Sequence, residues 1–207
     1  MEPITEPSAQ NELIVLQATM RACRLCVEAG HIAEARPIFV GRASDRLMVI
    51  GQAPGPNSGD RGLPFSGPAG RGLACWLGRA GFPEDYFRDH TYLTSLTRCF
   101  PGRSVHGEGD RPPSPAERRL CRPYIADELR LVSPSVILLV GKLAIEEFLG
   151  KCRLDDVVGT SVKRDGIHFL PLPHSSGVSR WLNVAEHQAL LDAAIARLAS
   201  LRVQLGL

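Results

Sequence analysis

The chain has 207 residues, with 24 basic side chains against 22 acidic ones and 44% hydrophobic residues. Such a length favours one compact domain, and the hydrophobic share is enough for an ordinary core, which excludes wholesale disorder. The net charge is only +2, no long charge block suggests an interaction tail, and the longest apolar runs are far too short for a membrane helix. Acids stand in residues 1–12 where an export signal needs a basic start, so a cytoplasmic location is expected. Six cysteines are then unusual. In a reducing compartment they point to metal ligation or plain burial before disulfides.

In chain order, residues 1–12 are polar and expected to be flexible, leaving 13–207 as the folded domain. ELIVLQATMRA at 12–22 predicts a short helix running into Cys23. Strand signals follow in PIFV (37–40), LMVIG (47–51), TYLTSL (91–96), VILLVG (136–141) and IHFLPL (167–172). Several are apolar on both faces, as strands buried in a parallel sheet are. Between them, Ser114-Pro115-Ala116-Glu117 carries an N-cap serine, a proline at the first helical position and a capping-box glutamate. A last helix is expected to open at Asn183. Strands alternating with helices predict an α/β domain of three layers, α/β/α, around a central four-stranded parallel sheet. In such folds ligands sit at the carboxyl ends of the strands, which directs attention to the residues after Ile50, Leu93 and Leu172.

The loop after the first buried strand, GQAPGPNSGDRGLPFSGPAG (51–70), is too rich in glycine and proline for a core element. Glycines let a backbone approach a ligand and prolines fix the path. Phe65 in its midst could stack on a planar base or simply pack down. The spacing matches neither a P-loop nor a dinucleotide fingerprint. Cys23-Arg24-Leu25-Cys26 is a C-x-x-C pair, with Cys99 and Cys121 as two further thiols.

GQAPG (51–55) with GLPFSGPAG (62–70), YLTSLTRC (92–99), RPPSPAE…CRP (111–123) and LPHSSGVSR (172–180) together resemble the ordered motifs of the uracil-DNA glycosylase superfamily. The likeness is greatest to its iron–sulfur branch, family 4, and covers most of the chain. It implies a DNA-repair hydrolase that flips uracil, or a related deaminated base, out of DNA and hydrolyses the N-glycosidic bond to leave an abasic site. It also implies a monomer of bacterial type, associated with the nucleoid, with DNA and no membrane as its partner.

The resemblance assigns Cys23, Cys26, Cys99 and Cys121 to a structural [4Fe–4S] cluster, although four cysteines also suit zinc. Cys75 and Cys152 remain as core thiols. The resemblance makes His174 the donor to the leaving uracil. It places Phe65 on the base, Gln52, Ala53 and Ser95 in the pocket, Ser176 at a phosphate, and Val178, Ser179 and Arg180 in the DNA-wedging loop.

Departures from the family pattern are specific. Gln52 replaces a carboxylate, Ser58-Gly59 an acidic pair, and Ser95 an asparagine that reads the uracil edge. Neither Ala53 nor Pro68 supplies a water-activating acid. Asp60 is the nearest acid in the motif, open to solvation or to a salt bridge with Arg61, and His106 and Asp110 are further candidates in a lengthened 100–110 loop. These losses keep a second expectation open, a weakly active or non-catalytic DNA-binding relative. A covalent DNA-crosslinking relative is disfavoured, because its nucleophilic histidine aligns with Asp110. Six arginines at 98, 103, 111, 118, 119 and 122 predict a local basic face despite the near-neutral total.

Overall fold

The computed structural model describes residues 6–105, 109–176 and 180–207. His106, Val178 and Ser179, named above, lie outside the described residues. Helix α1 spans Glu6–Ala22, so it starts six residues before the expected 12–22 and includes more than half of the segment expected to be flexible. The reason lies in Ala9 and Leu13, which are buried one helical turn apart. A short helix α2 (Leu25–Glu28) follows, and then strand β1 (Leu47–Gly51). Helices α3 (Pro56–Arg61), α4 (Pro68–Arg79) and α5 (Tyr86–Asp89) precede strand β2 (Thr91–Ser95).

Helix α6 (Pro115–Val132) opens on the expected capping box: the Ser114 side chain accepts from the Glu117 N–H, and the Glu117 carboxylate from the Ser114 N–H. Strand β3 (Val136–Val140), helices α7 (Lys142–Leu149) and α8 (Leu154–Val157), and strands β4 (Val162–Arg164) and β5 (Ile167–Leu172) come next. A 3-10 turn over Arg180–Asn183 leads into helix α9 (Ala185–Leu205). Val184, not Asn183, is the N-cap of α9, because Asn183 is spent in that turn.

The sheet has five strands in the order β2-β1-β3-β5-β4. The first four are parallel, and β4 joins β5 antiparallel. The expected four-stranded parallel sheet is thus corrected to a mixed five-stranded one. Asp165 and Gly166, both at positive φ (50° and 83°), form the two-residue turn of the β4–β5 hairpin, a geometry that favours Asp-Gly. Exposed Lys163 and Arg164 guard this edge against further pairing. The PIFV segment forms no strand among the described residues: it makes the isolated bridge Val40 to Leu93 and one bond from the Ile38 N–H to the Arg98 carbonyl. It ends at Gly41, where φ is 145° and any Cβ would overlap the Tyr92 ring.

Alternate strand residues serve opposite layers, as period-two geometry requires. Leu47, Val49, Leu138 and Leu170 pack with Leu73, Trp76 and Leu77 of α4 and Leu191, Ile195 and Leu198 of α9. Met48, Ile50, Ile137 and Leu139 pack with Leu13 of α1, Ile125 of α6 and Ile145 of α7. Cys75 is exposed, correcting the expected burial, because it falls off the Leu73–Trp76–Leu77–Ala80 stripe. Cys152 is half-buried at the second cluster. No helix among the described residues is long and apolar enough to cross a membrane.

Candidate active site and cysteine cavity

Four adjacent parallel strands end at one sheet edge, where Gln52 and Ala53 follow β1, Ser95 closes β2 and His174 follows β5. Gly51 and Ser95 are paired last residues of β1 and β2. A Cβ on Gly51 would lie 3.0 Å from Phe65 Cζ and 3.6 Å from Ser95 Oγ, so the phenylalanine ring and the serine hydroxyl share one bare glycine floor. Phe65 holds φ at 52°, a rare region for a bulky residue.

That conformation is held from outside. Arg88 donates to the Pro64 and Phe65 carbonyls, each at 2.7 Å, and Phe87 meets the Phe65 ring edge-on at 6.3 Å. Burial lowers the Arg88 pKa. Sequence reading missed this clamp, which comes from 23 residues away and has no motif of its own. Gly70 completes it, since a Cβ there would overlap the Phe65 carbonyl.

At the end of β5, the Ser176 hydroxyl lies 2.8 Å from His174 Nδ1, and the Ser176 backbone N–H donates to the same nitrogen at 3.3 Å. A backbone N–H can only donate, so Nδ1 is the acceptor and the neutral ring carries its proton on Nε2. His174 reaches the surface, yet desolvation by the surrounding protein lowers its pKa, which favours the neutral form. The neighbouring Ser175 hydroxyl donates to the Ala69 carbonyl at 2.8 Å and ties this turn to α4. Ser176 is itself buried against His174, so in the DNA-free protein its hydroxyl is engaged there.

Gln52 and Ala53 are half-buried just past β1. Asp60 is exposed on α3 and opens onto a cleft of about 410 Å³ bordered also by His31, Arg36 and Phe100. Gln52, Phe65, Ser95 and His174 do not border that cleft. Arg180 is exposed at the start of the 3-10 turn. Asp110 pairs with Arg103 at 3.2 Å, and its Oδ2 lies 3.6 Å from where a Gly55 Cβ would be.

The second region lies behind β2. Cys23, Cys26, Cys99 and Cys121 border one small cavity together with Met20, Ala35, Pro37, Arg98 and Tyr124. Burial and then the thiols of Cys121 and Cys99 push the Cys26 thiol up to about 12. Burial also pushes Cys99 up to about 11. The neighbouring Cys23 thiol and then burial raise the Tyr124 hydroxyl to about 12. Among the described residues, no three His, Cys, Asp or Glu side chains are arranged to hold a metal ion. The four sulfurs instead share the void.

Arg98 joins the two regions. It donates to the Ser95 carbonyl at 3.0 Å and makes a buried ion pair with Glu128, which also accepts from Tyr92 at 3.0 Å and Thr94 at 3.3 Å. Burial pushes the Glu128 carboxyl up, against the pull of Arg98 and these donors. The Arg98 Nε is buried without a partner among the described residues. The expected basic face is largely absorbed by such pairs: Arg111 binds both oxygens of Glu117 at 2.7 and 2.8 Å, Arg118 pairs with Glu147, and Arg103 is taken by Asp110.

A family model described as the uracil DNA glycosylase superfamily matches residues 38–199. Type-4 uracil-DNA glycosylases of Archaeoglobus fulgidus and Pyrobaculum aerophilum are each 30% identical, the first over 107 residues (52% of this chain, 49% of the relative) and the second over 118 (55% of each). That of Thermotoga maritima is 27% identical over 109 residues, 53% of this chain and 52% of the relative. The chain thus spans about half the length of the curated relatives it matches.

Proposed function

The chain belongs to the uracil-DNA glycosylase superfamily, and from that premise we propose that it excises uracil, or a closely related deaminated base, from DNA by hydrolysis. The observation that carries this reading is the His174 ring, whose Nδ1 is occupied by Ser176 and whose Nε2–H is left as donor at the carboxyl edge of the sheet. As the C1′–N1 bond breaks, its electron pair leaves with the base and negative charge builds on the uracil O2. A fixed neutral donor aimed there stabilises departure without reorganising. Phe65 stacks on the extruded base over Gly51. Gln52, the backbone at Ala53 and the Ser95 hydroxyl border it. Water then adds to C1′ and loses a proton to solvent, giving free base and an abasic site.

No carboxylate stands at position 52 or 53, so the reaction relies on leaving-group stabilisation, with cleavage preceding attack by water. Asp60 opens onto a cleft that His174 and Phe65 do not border, which leaves Asp110, whose Oδ2 lies beside Gly55, as the nearer acid for the attacking water. Ser176 and Arg180, with Val178 and Ser179 between them, meet the DNA backbone and groove. The chain acts as a monomer.

Cys23, Cys26, Cys99 and Cys121 fit a [4Fe–4S] cluster: the donor set is thiolate only, and the sulfurs border a common void instead of one point. The unpartnered Arg98 Nε–H in the cavity wall suits an inorganic sulfide acceptor. Such a cluster supplies no electrons to the hydrolysis and acts as a cross-link between α1–α2, the end of β2 and α6.

The test is a strand-cleavage assay on oligonucleotides carrying uracil, hypoxanthine or xanthine, developed with alkali. Breaks at uracil are expected. Retained binding to uracil-containing DNA with no break on any substrate would instead establish a non-catalytic DNA-binding member, the alternative that Gln52, Ala53 and Ser95 keep open.

A further inference from the structure

Just past the site, a closed arrangement of side chains takes no part in the chemistry above. The rings of Trp181 and His187 stack at 4.2 Å with 4° between their planes. Asp155 of α8 holds both edges. Its Oδ1 accepts from Trp181 Nε1 at 2.7 Å and lies 3.2 Å from His187 Nε2. Its Oδ2 accepts from Arg153 at 2.9 Å. His187 Nδ1 lies 2.7 Å from the Trp181 carbonyl oxygen.

The Trp181 carbonyl can only accept, so His187 Nδ1 carries a proton and donates to it, while Nε2 faces the Asp155 carboxylate across 3.2 Å. The imidazole thus lies flat on the indole face with its Nδ1–H spent on the backbone of the turn. The charges around it are Asp155 and, through Asp155, Arg153. Asp156 adds to the field at Arg153. Glu186, the residue before His187, is exposed.

The arrangement fastens three elements: α8, the 3-10 turn and the first turn of α9. Gln188 adds a bond to the Leu182 carbonyl at 3.1 Å. The turn so held begins at Arg180, whose side chain is exposed. An arginine presented from an ordered turn loses less freedom on meeting a phosphate than one presented from a loose turn.

We propose that Asp155 and His187 are positioning residues that fix the Arg180–Asn183 turn, so that Arg180 is presented to the DNA backbone. DNA as the ligand rests on the function proposed above, while the brace stands on its own contacts. The probe is a short duplex carrying a tetrahydrofuran abasic analogue, with binding followed by fluorescence anisotropy.

Asp155→Asn keeps an acceptor for Trp181 but removes the charge facing His187. It is expected to weaken binding about three- to tenfold, while single-turnover cleavage at saturating DNA stays at the wild-type rate. Arg180→Ala is expected to weaken binding alone, and Asp155→Asn added to it should cost nothing more. Equal losses from Asp155→Asn with and without Arg180 would overturn the positioning role.

A DNA-free readout tests the brace separately. In a Trp76→Phe background, Trp181 emission should move toward that of a solvent-exposed indole in His187→Ala and in Asp155→Ala, as the indole loses its stacked ring in one and its Nε1 acceptor in the other. Emission unchanged by both substitutions overturns the proposal. Emission that shifts as expected in a protein that binds no DNA would sink the proposed function, and the presentation of Arg180 to DNA with it.

Discussion

The carboxyl edge of the sheet and the cysteine cavity lie on either side of Ser95–Cys99, and they are built in opposite ways. At the edge, position comes from the backbone: paired strand ends place Gly51 beside Ser95, and close approach at Gly51 and Gly70 sets the Phe65 ring. In the cavity, position comes from side chains drawn from α1–α2, the end of β2 and α6, with apolar Met20, Ala35 and Pro37 as the wall. The edge is therefore a place where chemistry can change while the fold persists. The cavity is a place where losing one group loosens three segments at once. Arg98 is the side chain shared by both.

The largest expected effect tests that asymmetry at the cavity. Cys121→Ala should cost about 4 kcal/mol or more, as loss of a structural metal group does, which lowers Tm by roughly 8–16 °C for a chain of this size. Broad visible absorption, expected of thiolate-bound iron–sulfur, should vanish with it. Thermal denaturation with metal analysis decides the matter. A colourless wild type holding stoichiometric zinc, or a Tm unmoved by Cys121→Ala, would remove the cavity from its structural role.

At the edge the converse holds. His174→Ala should lower the single-turnover cleavage rate about 10²–10³-fold, the usual cost of a donor to a developing oxyanion. Its Tm should stay within about 2 °C, as for a surface-reaching side chain outside the core. If Tm collapses instead, the histidine is part of the framework and the contrast between the regions fails.

A smaller effect separates backbone approach from helix propensity within α4 alone. Alanine is the better helix former by about 1 kcal/mol, so Gly78→Ala, with nothing within 4 Å of its Cβ, should stabilise by up to that amount. Gly70→Ala gains the same propensity but drives its Cβ into the Phe65 carbonyl, an overlap with backbone that costs about 1–3 kcal/mol. The clash wins, and because Phe65 is displaced, KM for uracil-containing DNA should rise as well. Equal stabilisation by both substitutions would show that the Phe65 loop gives way freely and that the Arg88 clamp does not hold it.

These contrasts also explain what could be read from the chain beforehand. The strands β1 and β3 are continuous apolar runs, β2 and β5 are rich in β-branched, aromatic and aliphatic residues, and the α6 capping box is a local code, so all of these are legible. Strand β4 is not, because its Val-Lys-Arg faces solvent at the edge and carries no apolar period, although the Asp165-Gly166 turn is an available signal. The PIFV run is apolar but is stopped by Gly41, whose constraint is the Tyr92 ring across the fold. The arginine count at 98–122 suggested a free basic face, whereas acids such as Glu128 and Glu147 claim those charges from distant elements. The Asp155–Trp181–His187 arrangement spans 33 residues of chain and follows no periodicity.

The subtlest effect concerns the His174 proton. With Nδ1 accepting from the Ser176 N–H, protonation would set donor against donor and break the contact that aims Nε2–H. Because burial lowers the ring's pKa, the acid limb of the single-turnover rate should lie below the ordinary histidine value of about 6.5. The same shift carries a stability sign. The folded ring binds a proton less readily than the unfolded one, so its contribution is fully present above about pH 6.5 and is lost as the pH falls from there through the folded pKa. Rate and Tm measured across that window should decline together, and in His174→Asn the pH slope of Tm should become shallower. A rate that already falls above about pH 6.5 would mean that the edge carries a raised histidine pKa, opposite to what its partly buried setting produces.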